Sequence, residues 1–305
     1  MTIRQFAQIV EIRTKIIGIS TFSIATLYVV FASGAFSLGL FSLTFITGLC
    51  VDMGTTSFDS YFDFVRGVDN QIYNTERDKV LVHEGVSPQG ALAVSLGLYG
   101  AAVVLGVALA SLTSYWVAVA GAASMTVGFL YTGGPYPISR APVGELFAGG
   151  FLGTVFFLIV YFVHARTIPP EAVFASLPST LLIMSILTVN NTCDIEADRA
   201  AGRITISILL GRQRSEVMVY VLGGLGYAGA ALLSVLRVLP IWTLIPLAIA
   251  IGLSIPIYRA MHRAGFSSST KGSSMTRISW IFLLFSVAAA VGLVVGLVLK
   301  WTVGS

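Results

Sequence analysis

The chain has 305 residues, of which 56% are hydrophobic and only 10% charged, with a mean hydropathy of +0.88. A soluble globular domain carries about 25% charged residues, so the composition excludes one and predicts an all-α polytopic membrane protein forming a single domain over 1–305. The net charge of +4 and the two cysteines, Cys50 and Cys193, point to no nucleic-acid partner, disulfide framework or zinc site.

Met1 to Lys15 is polar and charged, and no small-residue cleavage site follows a short apolar region, so no cleavable signal peptide is expected. A spanning helix needs about 20 mainly apolar residues. The charge-free stretch Ile16 to Val51 accommodates two, with a break between Gly34 and Gly39, and Gly85 to Ser139 holds two more. Leu146 to Ala165, Ala172 to Cys193, Val217 to Leu236, Val238 to Tyr258 and Ile278 to Leu299 hold one each, which predicts nine helices. Fifteen of the 18 lysines and arginines fall on the side of the N-terminus, leaving Arg166, Arg237 and Lys300 on the other. That bias places the N-terminus in the cytoplasm and the C-terminus outside a cell membrane.

Ten of the 14 acidic residues lie between Asp52 and Glu84 or between Asp194 and Asp198. Carboxylates near a bilayer are costly and mark function. The two groups share a pattern: Thr55, Asp59, Asp63 and Gly67 correspond to Asn190, Asp194, Asp198 and Gly202 at a constant offset of 135 residues. Each set sits at the cytoplasmic end of an even-numbered helix. A parallel internal repeat of four helices, approximately 10–140 and 141–265, plus a last helix over 275–301, accounts for this.

Residues four apart share a helix face, so Asp59 and Asp63 point one way, as do Asn190, Asp194 and Asp198. Like charges so placed call for a cation. Mg²⁺ takes oxygen ligands and is commonly shared between one or two carboxylates and substrate phosphates. Two facing stripes would hold a pyrophosphate between metal ions. Arg77, Lys79, Arg199, Arg203 and Arg212 follow the clusters and are either phosphate ligands or membrane anchors. Tyr131 and Tyr136 flank a Gly-Gly-Pro break at the end of the fourth helix and could face a cavity. Glu145 opens the fifth helix, as a capping or a catalytic carboxylate. Phe58, Tyr61, Phe62 and Phe64 surround the first cluster, where aromatic faces either pack or stabilise a carbocation.

The stretches FDSYFDFVRGVD and NNTCDIEADRAAGRITISILLGR, with YTGGPYP and GEL between them, resemble the motifs of the UbiA superfamily of intramembrane prenyltransferases, and within it the menaquinone branch. Asp59-Ser60 stands where that family has Asn-Asp, and Arg13-Thr14-Lys15 lacks the branch's proline. The resemblance implies nine helices around a central cavity open to lipid. It implies that Asp59, Asp63, Asp69, Asp194 and Asp198 hold Mg²⁺ and a polyprenyl diphosphate. It also implies that Asn190, Arg203 and Lys79 assist the diphosphate and that Tyr131 lies near the reacting centre, with Arg77, Arg199 and Tyr61 as further substrate contacts. The implied reaction is prenyl transfer to an aromatic acceptor, 1,4-dihydroxy-2-naphthoate with loss of its carboxylate, or else 4-hydroxybenzoate, homogentisate, a haem or a glycerol-phosphate lipid. An ion-coupled transporter is the reading from another class, but it would place its acids near the bilayer midplane.

Overall fold

A computed structural model describes residues 1–69 and 79–303. Among them, nine helices are long and apolar enough to cross a membrane. They are α1 Lys15–Ser33, α2 Leu38–Val65, α3 Pro88–Leu112, α4 Tyr115–Thr132, α5 Gly144–Ala165, α6 Pro170–Cys193, α7 Arg212–Val235, α8 Leu244–Ala264 and α9 Lys271–Val303. No strand occurs among the described residues. Helix starts follow the caps written in the sequence: Ser37, Ser87, Ser114 and Thr205 each accept a backbone N–H from the first turn that follows.

α2 runs well past Val51, the end of the charge-free stretch, and carries Asp52, Asp59 and Asp63 within it. The corresponding chain in the second half breaks at Asp194 and restarts as a short helix, Ile195–Ala200. The hydrogen-bond ladder nonetheless continues through the break, from Asp194 N to the Asn190 carbonyl and from Asp198 N to the Asp194 carbonyl.

Packing divides the molecule unevenly. The main core draws on α1 and α5 to α9, through Phe22, Tyr28, Phe157, Leu182, Tyr227 and Phe282 among others. Two thirds of the α6 span is buried, against 11% for α2 and α4 and 17% for α3. α2 to α4 are thus little buried over most of their length, packed mainly against one another. A cavity of about 500 Å³ lies between α1 to α5 and Leu187 of α6, lined mostly by apolar side chains. Val103 and Val107 of α3 line it and are themselves exposed, so it opens between helices on the lipid-facing side.

α5 is not uniform. Gly150–Val155 forms a π turn between α-helical segments. There the helix approaches α6 at backbone distance: a Cβ on Gly153 would lie 2.4 Å from Thr180 Oγ1 and 2.6 Å from its Cα. Pro178 removes a donor from α6 at this level, and hydroxyls fill the contact, with Thr154 Oγ1 2.8 Å from Thr180 Oγ1 and Ser176 Oγ donating to Thr154 Oγ1 at 3.1 Å. Because a backbone atom blocks the space, Gly153→Ala is expected to destabilise the protein by about 1–3 kcal/mol. Thermal unfolding in detergent measures this, and an unchanged melting temperature would show that the two helices can separate freely.

Candidate active site

The two acidic clusters end in matching caps. Arg66 (φ −89°, ψ 1°) is followed by Gly67 at φ +69°, and Ala201 (φ −81°, ψ 2°) by Gly202 at φ +71°. Glycine adopts these left-handed values without the steric cost other residues bear. Each cap turns the chain back on its cluster. Asp69 N donates to the Asp63 carbonyl at 3.0 Å, and Arg203 N donates to the Asp198 carbonyl at 2.9 Å. The turns thereby deliver one further charged residue to each cluster.

Arg203 joins the clusters. Its Nη2 lies 2.6 Å from Asp63 Oδ1 and its Nη1 3.2 Å from Asp198 Oδ1. The three charged groups are mostly buried. Beside them Lys79 pairs with Asp69 at 3.0 Å and with Glu11 at 3.7 Å. Asp194 is engaged elsewhere, with Lys271 Nζ at 2.8 Å. Asp59 makes no hydrogen bond or ion pair among the described residues and lines the cavity, as does Tyr131. A Cβ on Gly144 would lie 3.4 Å from the Tyr131 hydroxyl, so the start of α5 is cut close to that ring.

Burial pushes the Asp198 carboxyl up to about 6. The Arg203 guanidinium opposes that rise, while the charges of Asp194 and Asp63 add to it. Burial works to lower the Lys79 and Arg203 pKa values, but the surrounding carboxylates override it and hold both above their ordinary ranges.

The remaining sequence-predicted residues are more dispersed. Asn190 is half-buried one turn beyond the cavity-lining Leu187. Arg199 is exposed. Tyr61 packs on the small cluster of Ile9, Val80, Leu81 and Ala91 and does not line the cavity. Arg77 lies outside the described residues. Tyr136, read as a possible cavity residue, is 91% exposed, because the turn between Pro135 and Pro137 carries it outward. Arg66 does not neutralise the first cluster. It donates to the carbonyls of Thr132 and Gly134, the latter at 2.5 Å, and lies over the Phe62 ring. Arg140 ties the same connection to the second cluster's loop, donating to the Ala201 carbonyl at 3.0 Å, while its own carbonyl accepts from Ile204 N at 2.8 Å. Sequence reasoning also left unassigned the Glu145–Asn191 hydrogen bond of 2.8 Å and the Lys15–Asp52 ion pair of 2.6 Å. The second had a signal: Asp52 is seven residues from Asp59 and so shares its helix face.

No group of three or more His, Cys, Asp or Glu side chains is drawn together as a metal cluster among the described residues. The donor set still suits a hard divalent cation. It consists of carboxylate oxygens, and among the described residues the Asp59 carboxylate is unpaired and Asp198 Oδ2 is buried without a partner. Arg203, the cation between Asp63 and Asp198, leaves donor capacity on both sides of itself.

A model of the UbiA prenyltransferase family matches residues 20–271. The chain is 36% identical over 180 residues to the 1,4-dihydroxy-2-naphthoate octaprenyltransferase of Bacillus subtilis, covering 59% of this chain and 58% of that protein. It is 27% identical over 176 residues to the protein of the same name from Mycobacterium tuberculosis, covering 58% and 60%. The chain thus spans about six tenths of the length of these curated relatives. In fold it is similar to a digeranylgeranylglyceryl phosphate synthase, with a TM-score of 0.63 and 19% identity over 95% of this chain and 98% of that one. It is also similar to a UbiA homolog from Archaeoglobus fulgidus bound to GPP and Mg²⁺, with a TM-score of 0.62 and 13% identity over 92% and 99%.

Proposed function

Because the chain belongs to the UbiA prenyltransferase family, we propose that it transfers a polyprenyl group from a prenyl diphosphate to an aromatic acceptor, 1,4-dihydroxy-2-naphthoate, on the way to menaquinone. The observation that carries this reading is the meeting of the two acidic clusters through Arg203, next to an Asp59 that lines a mostly apolar cavity opening on the lipid-facing side. A carrier would need its acids near the midplane, whereas these lie at helix ends. The names of the two relatives favour the naphthoate acceptor over 4-hydroxybenzoate, homogentisate or a lipid glycerol phosphate.

In this reading Asp59, Asp63 and Asp198 hold Mg²⁺, with Asp69 and Asp194 in support. Bound there, Mg²⁺ supplies Lewis-acid neutralisation of the departing diphosphate. Arg203 and Lys79 supply fixed positive charge on the same side, and Arg203 can chelate phosphate oxygens bidentately. The apolar walls exclude water from the allylic cation that forms as the C–O bond breaks. The Tyr131 ring, beside Asp59 on the cavity wall, offers a π face to that cation. The acceptor ring then attacks from within the cavity and loses its carboxylate as CO₂. By the basic-residue bias, this polar end faces the cytoplasm.

Incubation of the purified protein with Mg²⁺, a prenyl diphosphate and a panel of aromatic acceptors, followed by mass spectrometry, tests the reading. A prenylated, decarboxylated naphthoate product is expected, and no product with any acceptor from a folded sample would overturn it. A second expectation concerns pH. Below about 6 the Asp198 carboxyl holds a proton in the metal-free protein, and that proton competes with a cation. Mg²⁺ affinity measured by calorimetry should weaken about tenfold from pH 7 to pH 5. A flat profile would remove Asp198 from the metal's ligands.

A further inference from the structure

The cavity wall carries a charged group that the two acidic clusters do not account for. Asp52 lies two turns before Asp59 on α2, and both line the cavity. Lys15, the first residue of α1, is 2% exposed, and its ammonium is directed entirely at α2. Its Nζ donates to Asp52 Oδ1 at 2.6 Å, to Thr56 Oγ1 at 3.0 Å and to the Asp52 carbonyl at 3.4 Å. Those three partners use all three ammonium donors. They leave Asp52 Oδ2 with no hydrogen bond among the described residues. Gly18, one turn along α1, makes room for that oxygen, since a Cβ there would lie 2.8 Å from Oδ2.

The result is a carboxylate with one oxygen clamped by a buried lysine and the other left to a mostly apolar cavity. It is about 10 Å along the helix from Asp59, taking a rise of about 1.5 Å per residue. Holding an ion pair in such a wall is costly, and this pair contacts none of Asp63, Asp198 or Arg203. Its open oxygen can only accept a hydrogen bond, so the complementary ligand group is a donor.

We propose that Asp52 Oδ2 is the binding point for a hydroxyl on the aromatic acceptor. This rests on the prenyl-transfer reading and adds the acceptor chemistry that the cavity selects, a phenol or hydroquinone whose O–H donates to Asp52. The ring then spans from Asp52 toward the diphosphate end at Asp59 and Tyr131. Lys15 fixes the orientation of the carboxylate. A hydroxyl hydrogen-bonded to a carboxylate releases electron density into its ring, so the same contact orients the acceptor and makes the carbon beside the hydroxyl a better nucleophile. An acceptor lacking the hydroxyl leaves a charged oxygen unpaired in a water-poor wall, which binding must offset.

The test uses the full chain in detergent with Mg²⁺, farnesyl diphosphate and either 1,4-dihydroxy-2-naphthoate or its O-methyl ethers, with product quantified by mass spectrometry. Wild-type kcat/KM should fall about 10- to 100-fold for at least one methyl ether, the strength of a hydrogen bond to a charged group. The double variant Lys15→Met/Asp52→Leu removes both charges together and leaves neither unpaired. It should raise the acceptor KM and use hydroxy and methoxy acceptors alike, with the KM for farnesyl diphosphate unchanged. Asp52→Asn, which is isosteric, should move the same ratio in the same direction. Equal use of the hydroxy acceptor and every methyl ether by wild type overturns the proposal without any variant. So does a folded double variant that keeps the discrimination. Product formation without that discrimination sinks this proposal alone, whereas no wild-type product with any acceptor sinks the prenyl-transfer reading together with it.

Discussion

Asp198→Ala is expected to lower prenyl transfer by on the order of 10³-fold or more, the equivalent of about 4 kcal/mol at the transition state, while the protein still folds in detergent. The Asp198 side chain is 3% exposed, with one oxygen on Arg203 and the other buried without a partner among the described residues. A buried, half-satisfied carboxylate is a poor structural element, and its arrangement makes sense as a ligand site. Removing it takes away the carboxylate that the second cluster gives to the Arg203 bridge among the described residues, because Asp194 is turned toward Lys271. Asp63→Ala should behave alike from the opposite side. Arg203 keeps one carboxylate in either variant, so neither leaves it without a counter-ion. Product quantification alongside thermal unfolding checks this, and full activity in either folded variant would sink the metal-site assignment.

Arg203→Met is expected to act on stability as well as on activity. It leaves Asp63 and Asp198 facing each other in a buried setting with no cation between them. Breaking a buried ion pair from one side costs about 3–5 kcal/mol, so the melting temperature without divalent cation should drop by several degrees or more. Mg²⁺ at millimolar concentration should restore much of the loss, because an ion that binds only the folded state stabilises it by about 2.7 kcal/mol at 100 times its Kd. The restoration separates this effect from ordinary misfolding. A variant that melts like wild type with or without Mg²⁺ would show that the guanidinium is not what holds the two carboxylates together.

The nine helices were legible in the sequence because seven uncharged stretches, two of them of double length, have room for nine spans. What the windows could not place was the end of α2. Asp52 stops a charge-free window, but it does not stop the helix, because Lys15 neutralises it from α1. The Asp59 carboxylate lines the cavity and the Asp63 carboxylate pairs with Arg203. Spacing brought Asp59 with Asp63, and Asp194 with Asp198, onto common faces. It carried no information about which member of each pair crosses to the other half. That depends on the Arg203 side chain, which reaches a carboxylate 140 positions away in the sequence. The side chains of Tyr61, packed on Ile9 and Leu81, and of Tyr136, exposed, lie off the cavity for a similar reason, since proximity in sequence to an acidic or Gly-Pro segment does not fix the side of the chain on which a ring emerges.

The π turn in α5 has a consequence for how this wall can vary among related chains. A π turn holds one more residue than the α-helix it interrupts. The wider turn absorbs that residue, so deleting one residue of Gly150–Val155 would restore a regular α-helix with the faces before and after it nearly in place, whereas a deletion in an α-helical part of α5 would turn its two sides by about 100°. Glu145 would stay by Asn191, and Phe147 and Ala148 on the cavity wall, while the close approach of Gly153 and Thr154 to α6 that the turn creates would be lost. The turn is therefore the place in α5 where a length change of one disturbs the cavity wall least, and in an alignment a gap elsewhere in α5 is the stronger sign of an altered wall.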